Sequence, residues 1–213
     1  NIRPFGGKPL IAWSIEQALA VDRVDRVIVS TDSDEIASVA KDFGAHVPFM
    51  RPAELAGDQS PEWLAWRHAL DFLKVSEGGL PDAMLSVPAT APLRRQVDLE
   101  NCLDEYEKGD VDVVITVTEA HRSPYFNMVK ENTDGTVGLV IPLQTSIARR
   151  QDSPAVFDMA TVAYVVRPEF VFSNTSTFEG RVRAVQIPSK RAIDIDTLLD
   201  FQIAEYLLGV GED

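Results

Sequence analysis

Val24-Asp25-Arg26-Val27-Ile28-Val29-Ser30-Thr31-Asp32-Ser33-Asp34-Glu35 carries a β-branched run directly into a cluster of short polar residues, and that junction decides the fold class. Residues 24–30 read as a buried strand, because Val and Ile suit a pleated surface covered on both faces. Ser33 or Asp34 then offers a side-chain oxygen to the unpaired N–H groups that begin a helix ending near Gly44. A strand that passes straight into a helix is the repeating unit of an α/β protein.

The alternation continues along the chain. Pro9 opens a helix with Leu10, Ile11, Ser14, Ile15, Ala18 and Leu19 near the helical period, and a second strand is expected near residues 45–50. Pro61 starts a long helix carrying Trp63, Leu64, Trp66, Leu70, Phe72 and Leu73, which read as core; Gly78-Gly79 breaks the chain before a strand at residues 83–87. Residues 96–107 read as helix, and 112–118, 161–166 and 182–187 as strands. The expectation is an α/β fold with a mainly parallel, Rossmann-like sheet flanked by helices, forming one domain over residues 1–213. From residue 123 to about 143 the pattern changes to short strands around an Asp134-Gly135 turn. This predicts a hairpin excursion at about residues 121–148, read as an oligomerisation arm.

Composition bounds what such a fold does. A chain of 213 residues with 45% hydrophobic content buries a substantial core. The formal charge of −13 repels nucleic acid and anionic membrane surfaces, so neither is expected as a partner. No apolar run approaches the ~18 residues of a membrane span. The single cysteine, Cys102, shares helical spacing with Leu99, Leu103 and Tyr106 and reads as a small core residue, which fits a cytoplasmic location. His46 and His68 show no metal-ligand spacing with each other or with Cys102.

The chemistry is expected where strands end. Arg191-Ala192-Ile193-Asp194-Ile195-Asp196-Thr197 reads as a strand, on which Asp194 and Asp196 point one way and Ile193 and Ile195 the other. Two carboxylates side by side suit a magnesium ion that carries substrate phosphates. The alternative is a solvated acidic face with Asp196 serving only as N-cap of a helix over roughly residues 197–208. Ser30-Thr31-Asp32 sits where ligands bind in open α/β sheets, although turn and capping residues occupy such places too. Arg149-Arg150-Gln151-Asp152 offers guanidiniums for a carboxylate or phosphate, or forms a surface salt-bridge cluster.

Taken together, these segments resemble the acylneuraminate cytidylyltransferase family, which activates nine-carbon sugar acids as CMP esters. The resemblance runs from Asn1 to about Leu208 and is most specific at Arg191-Ala192-Ile193-Asp194-Ile195-Asp196-Thr197, with Asp200-Phe201 and Ala204-Glu205 following. Ser30-Thr31-Asp32, then Arg51-Pro52-Ala53-Glu54-Leu55-Ala56 and Asp58, are similar to the family's second motif. Val87-Pro88-Ala89-Thr90-Ala91-Pro92-Leu93-Arg94 resembles Leu-Gln-Pro-Thr-Ser-Pro-Leu-Arg, with Pro88 at the place of a glutamine expected to hydrogen-bond the sugar acid; proline cannot make that bond. Arg149-Arg150-Gln151-Asp152-Ser153-Pro154 is similar to Arg-Arg-Gln-Asp-x-Pro, with Ala160-Thr161 replacing the usual Asn-Gly. His121-Arg122-Ser123-Pro124-Tyr125 resembles bacterial members that use sialic-acid-like sugars.

The resemblance implies a nucleotidyltransferase that joins CTP to a 2-keto sugar acid, giving a CMP-sugar and pyrophosphate for cell-surface glycan synthesis. It implies a homodimer, and Asp194 and Asp196 as magnesium ligands. Asn1 and Arg51 would touch the nucleotide, and Thr90, Arg94, His121, Arg149, Arg150 and Gln151 would form the sugar-acid pocket. Members of the family carry a strand and a Gly-, Lys- and Arg-rich phosphate loop before a Lys-Asn pair, and Asn1 matches the second residue of that pair. An eight-carbon keto-acid cytidylyltransferase is the near alternative, although its Gln-Gly-Asp-Glu-Pro segment has no match around Pro88. A catalytically inactive nucleotide-binding or scaffolding protein of the same fold is the other.

Overall fold

The computed structural model describes residues 1–57, 59–144 and 149–210. In chain order the elements are β1 (Pro4–Phe5), β2 (Lys8–Pro9), α1 (Leu10–Leu19), α2 (Asp34–Asp42), α3 (Glu62–Glu77), β3 (Met84–Ser86), α4 (Gln96–Glu107), β4 (Val113–Glu119), β5 (Val129–Glu131), β6 (Val137–Leu139), β7 (Phe157–Val166), α5 (Pro168–Ser173), β8 (Val182–Gln186) and α6 (Leu198–Val210). The central sheet has the order β3-β7-β4-β8. β4 and β8 are parallel, whereas β7 runs antiparallel to both β3 and β4, so β3, β4 and β8 share one direction. The reversal of β7 follows from the chain path: it returns from the excursion that leaves the end of β4, with no helical crossover among the described residues to turn it round.

Alternation along the strands divides the core. Val113, Ile115 and Val117 of β4, with Tyr164 and Val166 of β7, meet Trp63, Trp66 and Leu70 of α3 and Phe170 and Val171 of α5 on one face. Val114, Ala163 and Val165 meet Leu99, Cys102 and Leu103 of α4 on the other. A third cluster joins Phe5 and Leu10 to Phe201 and Ala204 of α6, with Ile193 and Ile195 packed against it.

Two local expectations change, and a third holds. Residues 24–30 and 45–50 do not form two full strands; they meet at a single parallel bridge, Ile28 to His46, with Val29 N–H donating to the His46 carbonyl (2.9 Å) and His46 N–H to that of Val27 (2.8 Å). The next donor in that register is residue 48, and Pro48 has no N–H, so the ladder stops. Residues 192–196 are likewise outside any strand. After Ile187 N–H donates to the Val117 carbonyl (2.8 Å), Pro188 and a 3-10 turn over Ser189–Arg191 lift the chain off the sheet. Finally, the excursion is a hairpin of β5 and β6 about an Asp134-Gly135 turn, as expected, with Gly135 at φ 80° and Asp134 Oδ1 accepting from Thr136 N–H (3.0 Å). Residues 145–148 of the excursion, and Asp58 of the second motif, lie outside the described residues.

Candidate active site

The Asp194–Asp196 segment keeps its alternation without being a strand. Ile193 and Ile195 enter the Phe5–Phe201 cluster, which turns Asp194 and Asp196 to the opposite side. Ile195 N–H donates to the Thr90 carbonyl (2.8 Å), tying the segment to the loop that leaves β3. Asp196 is exposed and is not the helix cap. Thr197 takes that role: its Oγ1 accepts from Asp200 N–H (3.2 Å), and Asp200 Oδ2 accepts from Thr197 N–H (2.7 Å) and Oγ1 (2.7 Å). Asp194 Oδ1 is buried and has no hydrogen-bond partner. A buried carboxylate oxygen without a donor costs desolvation free energy on the order of 1–3 kcal/mol or more, which a cation at this position offsets.

Three ionisable groups from separate parts of the chain, Glu62, Tyr164 and Arg51, gather around it. Glu62, at the first turn of α3, accepts at Oε1 from Trp66 Nε1 (3.1 Å) and from Ser86 Oγ at the end of β3 (3.2 Å). Burial of its carboxyl lifts its pKa above the ordinary carboxylate value; the bonds from Trp66 and Ser86 and the charge of Arg51 oppose this, and the charge of Asp194 adds to it. Tyr164 is pushed up to about 12 by burial first, then by Glu62 and Asp194. Arg51 donates its backbone N–H to the Thr31 carbonyl (2.8 Å), joining the two halves of the second motif, and its Nε is buried without a hydrogen-bond partner. Arg51, Asp194 and the Thr90 loop were legible in the sequence; Glu62 was not. A glutamate just after a proline at a helix start carries no signal beyond the favourable helix dipole.

The remaining expected site residues fall into three places. Arg94 is 2% exposed. Its Nη1 donates to Ser14 Oγ (2.7 Å) and Gln17 Oε1 (3.4 Å) and its Nη2 to the Pro88 carbonyl, while Gln17 Nε2 donates to the carbonyls of Pro92 (2.8 Å) and Arg94 (2.7 Å). The loop over residues 88–94 is thereby stitched to α1, and the guanidinium is held away from solvent. Asn1 is exposed, and its carbonyl accepts from Ile11 N–H (2.8 Å). His121, Arg149, Arg150 and Gln151 lie together elsewhere: Arg150 Nη2 donates to the Ala120 carbonyl, and Arg149 pairs with Asp152 (Nε to Oδ2 2.9 Å). Ser86 faces Tyr164 at one end of the described pairing and Glu119 faces Phe157 at the other. At about 3.4 Å per residue, this second group stands on the order of 20 Å along the sheet from Ser86.

Paired carboxylates at the carboxyl end of an α/β sheet, with a buried arginine nitrogen and polar loops around them, define a nucleotide-handling enzyme fold. The family model described as cytidylyltransferase matches residues 1–201, and the chain belongs to that family. It is 32% identical to post-translational flagellin modification protein B of Campylobacter coli over 98% of this chain and 87% of the relative. It is also 32% identical to CMP-N,N'-diacetyllegionaminic acid synthase of Campylobacter jejuni, over 99% and 88%. Among solved structures, CMP:2-keto-3-deoxy-manno-octonic acid synthetase complexed with CTP shares the fold at a TM-score of 0.66 and 18% identity, covering 98% of this chain and 91% of that one. Among the described residues no helix is long and apolar enough to cross a membrane.

Proposed function

We propose that this chain activates a sialic-acid-like 2-keto sugar acid with CTP, releasing pyrophosphate and forming a CMP-sugar for cell-surface glycan synthesis in the cytoplasm. The observation that carries the reading is the buried, partnerless Oδ1 of Asp194, whose charge reaches Glu62 together with that of Arg51, in a chain whose relatives include a legionaminic acid CMP-synthase. Asp194 and Asp196 fit a divalent cation, with magnesium as the expected ion. Among the described residues no cluster of three or more His, Cys, Asp or Glu forms a closed metal cage, so nucleotide phosphates and water would complete the ligand set. When bound, the ion supplies charge neutralisation at the α-phosphate and favours deprotonation of the attacking hydroxyl.

The chain's own part is positioning. Arg51 takes a phosphate or nucleotide oxygen with a nitrogen that already lacks a partner, and exposed Asn1 would touch the nucleotide. Thr90 offers a hydroxyl to the sugar acid from a loop bonded to Ile195. The anomeric oxygen forms its bond to the α-phosphorus while the bond to the bridging oxygen breaks, and that electron pair leaves with pyrophosphate. His121, Arg149, Arg150 and Gln151 stand too far along the sheet to serve the same pocket in one protomer. Phe157 and Met159 on β7 and Val129 and Val137 on the hairpin are each more than half exposed, which suits a homodimer whose arm brings those residues to the partner's site.

The test is pyrophosphate release from CTP and magnesium across nine-carbon and eight-carbon keto sugar acids, with products identified by mass. Turnover with a nine-carbon acid supports the reading, and turnover with an eight-carbon acid alone replaces it by the octonic-acid alternative. If a folded protein turns over neither and binds CTP without magnesium dependence, the scaffold reading stands instead.

A further inference from the structure

We infer that Arg94, Asp98 and Arg191 form a buried charge lock that sets the Asp194–Asp196 segment against the Thr90 loop, making them positioning residues and leaving Arg94 no contact with the sugar acid. The inference rests on the proposed transfer chemistry for its kinetic consequence, though not for its structural one.

Asp98, on the first turn of α4, is completely buried and uses both oxygens. Oδ1 accepts from Arg191 Nη2 (2.8 Å), and Oδ2 from Arg191 Nε (3.0 Å) and Arg95 N–H (2.9 Å). That fork is bidentate and planar, so it fixes direction as well as distance, and Arg191 stands only three residues before Asp194. On the other side of the segment, Arg94 fixes the Pro88 carbonyl, which Ser14 Oγ also approaches (3.1 Å), and Thr90 of the same loop accepts from Ile195. The two metal-facing carboxylates are thus held from both ends by arginines whose donors are turned to the protein, Arg94 sealed inside and Arg191 forked onto Asp98.

The charges explain why a buried guanidinium is tolerated here. Among the described residues Arg94 has no carboxylate within ion-pair distance, and an isolated buried cation is expensive. Its nearest compensating charges are those of Asp98 and Asp194. Arg94 and Arg191 against Asp98 and Asp194 make a neutral set of four, of which only Asp194 has an oxygen left without a donor. The lock therefore holds Asp194 in place before any cation arrives, the kind of preorganisation on which positioning catalysis depends. Burial depresses the Arg94 pKa to about 9.

The test compares Arg94→Lys and Arg191→Lys with the wild-type chain. Each keeps its charge and loses the guanidinium fork. The expected result is a loss of kcat on the order of 100-fold, the scale of a misplacement of about 1 Å, with the KM for the sugar acid within about twofold. Amide exchange at Ile195, whose N–H bonds the Thr90 carbonyl, is expected to quicken roughly tenfold. A raised KM for the sugar acid at unchanged kcat would make Arg94 a substrate ligand and overturn the inference, as would unchanged kcat together with unchanged Ile195 exchange. If Arg94→Lys does not fold, Arg191→Lys, whose side chain is 21% exposed, carries the test alone. If the wild-type chain shows no turnover, the functional reading fails, while Ile195 exchange still decides the lock.

Discussion

Thr197→Ala and Asp196→Ala separate the proposed metal ligand from a helix cap at adjacent positions. Alanine at 197 removes the Oγ1 that accepts from Asp200 N–H at 3.2 Å and donates to Asp200 Oδ2 at 2.7 Å, leaving the Thr197 N–H bond to that carboxylate. Loss of a cap hydroxyl costs about 1 kcal/mol, which for a chain of this size lowers Tm by about 2–4 °C. Asp196 is exposed and caps nothing, so Asp196→Ala should stay within about 0.5 kcal/mol of wild type. Turnover should reverse the order: Asp196→Ala loses at least about 100-fold in pyrophosphate release, whereas Thr197→Ala keeps most of it. Hydrogen bonds from Thr197 hold the Asp200 carboxyl below its ordinary pKa. Its stabilisation is therefore present above the unfolded value of about 3.9 and is lost as pH falls through the lower folded value. The Tm gap between wild type and Thr197→Ala should accordingly narrow below about pH 4. Thermal melts by circular dichroism and the pyrophosphate assay on both variants suffice. An Asp196→Ala protein that melts early yet turns over normally would refute the assignment.

Other outcomes follow from the same geometry. Asp194→Asn should abolish turnover with little change in melting temperature, because it loses attraction to Arg94 and repulsion from Glu62 together; a folded, active variant in the pyrophosphate assay would remove Asp194 from the site. Leu70→Ala opens a void beneath Trp63 and Trp66 at a residue 1% exposed, at a cost of about 2–5 kcal/mol, readable as a fall in the urea midpoint. Burial, then the charge of Asp98, pushes the Cys102 thiol up to about 12. Native Cys102 should resist thiol reagents at pH 8 and react only at the rate of unfolding. Because its folded pKa is raised, the stabilisation is complete below the unfolded value near 9 and is lost as pH rises toward 12; flat stability over that interval would contradict it.

Much of the fold was legible in local pattern. The helices begun by Pro9, Ser33 and Pro61, the strand over Val113–Glu119 and the Asp134-Gly135 hairpin all follow from periodicity and turn chemistry acting over a few residues. What local pattern misread was pairing. Residues 24–30 look like a full strand, but their partner contains Pro48, and a ladder depends on the donors of both chains. Residues 191–197 alternate like a strand, yet among the described residues no ladder pairs them with the sheet, and Ile195 N–H bonds the Thr90 carbonyl of a loop instead. β7 has the composition of a parallel strand; its direction is set by the excursion before it.

The site divides along the same line. By itself the sequence determined the α/β class, the family and the carboxylate pair at 194 and 196, since these are written in residue identity and short-range spacing. Only the tertiary structure decided that Asp194 carries a partnerless oxygen, that Glu62 faces it, that Arg94 is sealed inside, and that Arg149 and Arg150 lie far along the sheet. The physical reason is that burial and charge interaction depend on which distant elements meet, and the desolvation that makes a buried charge matter does not exist until they do.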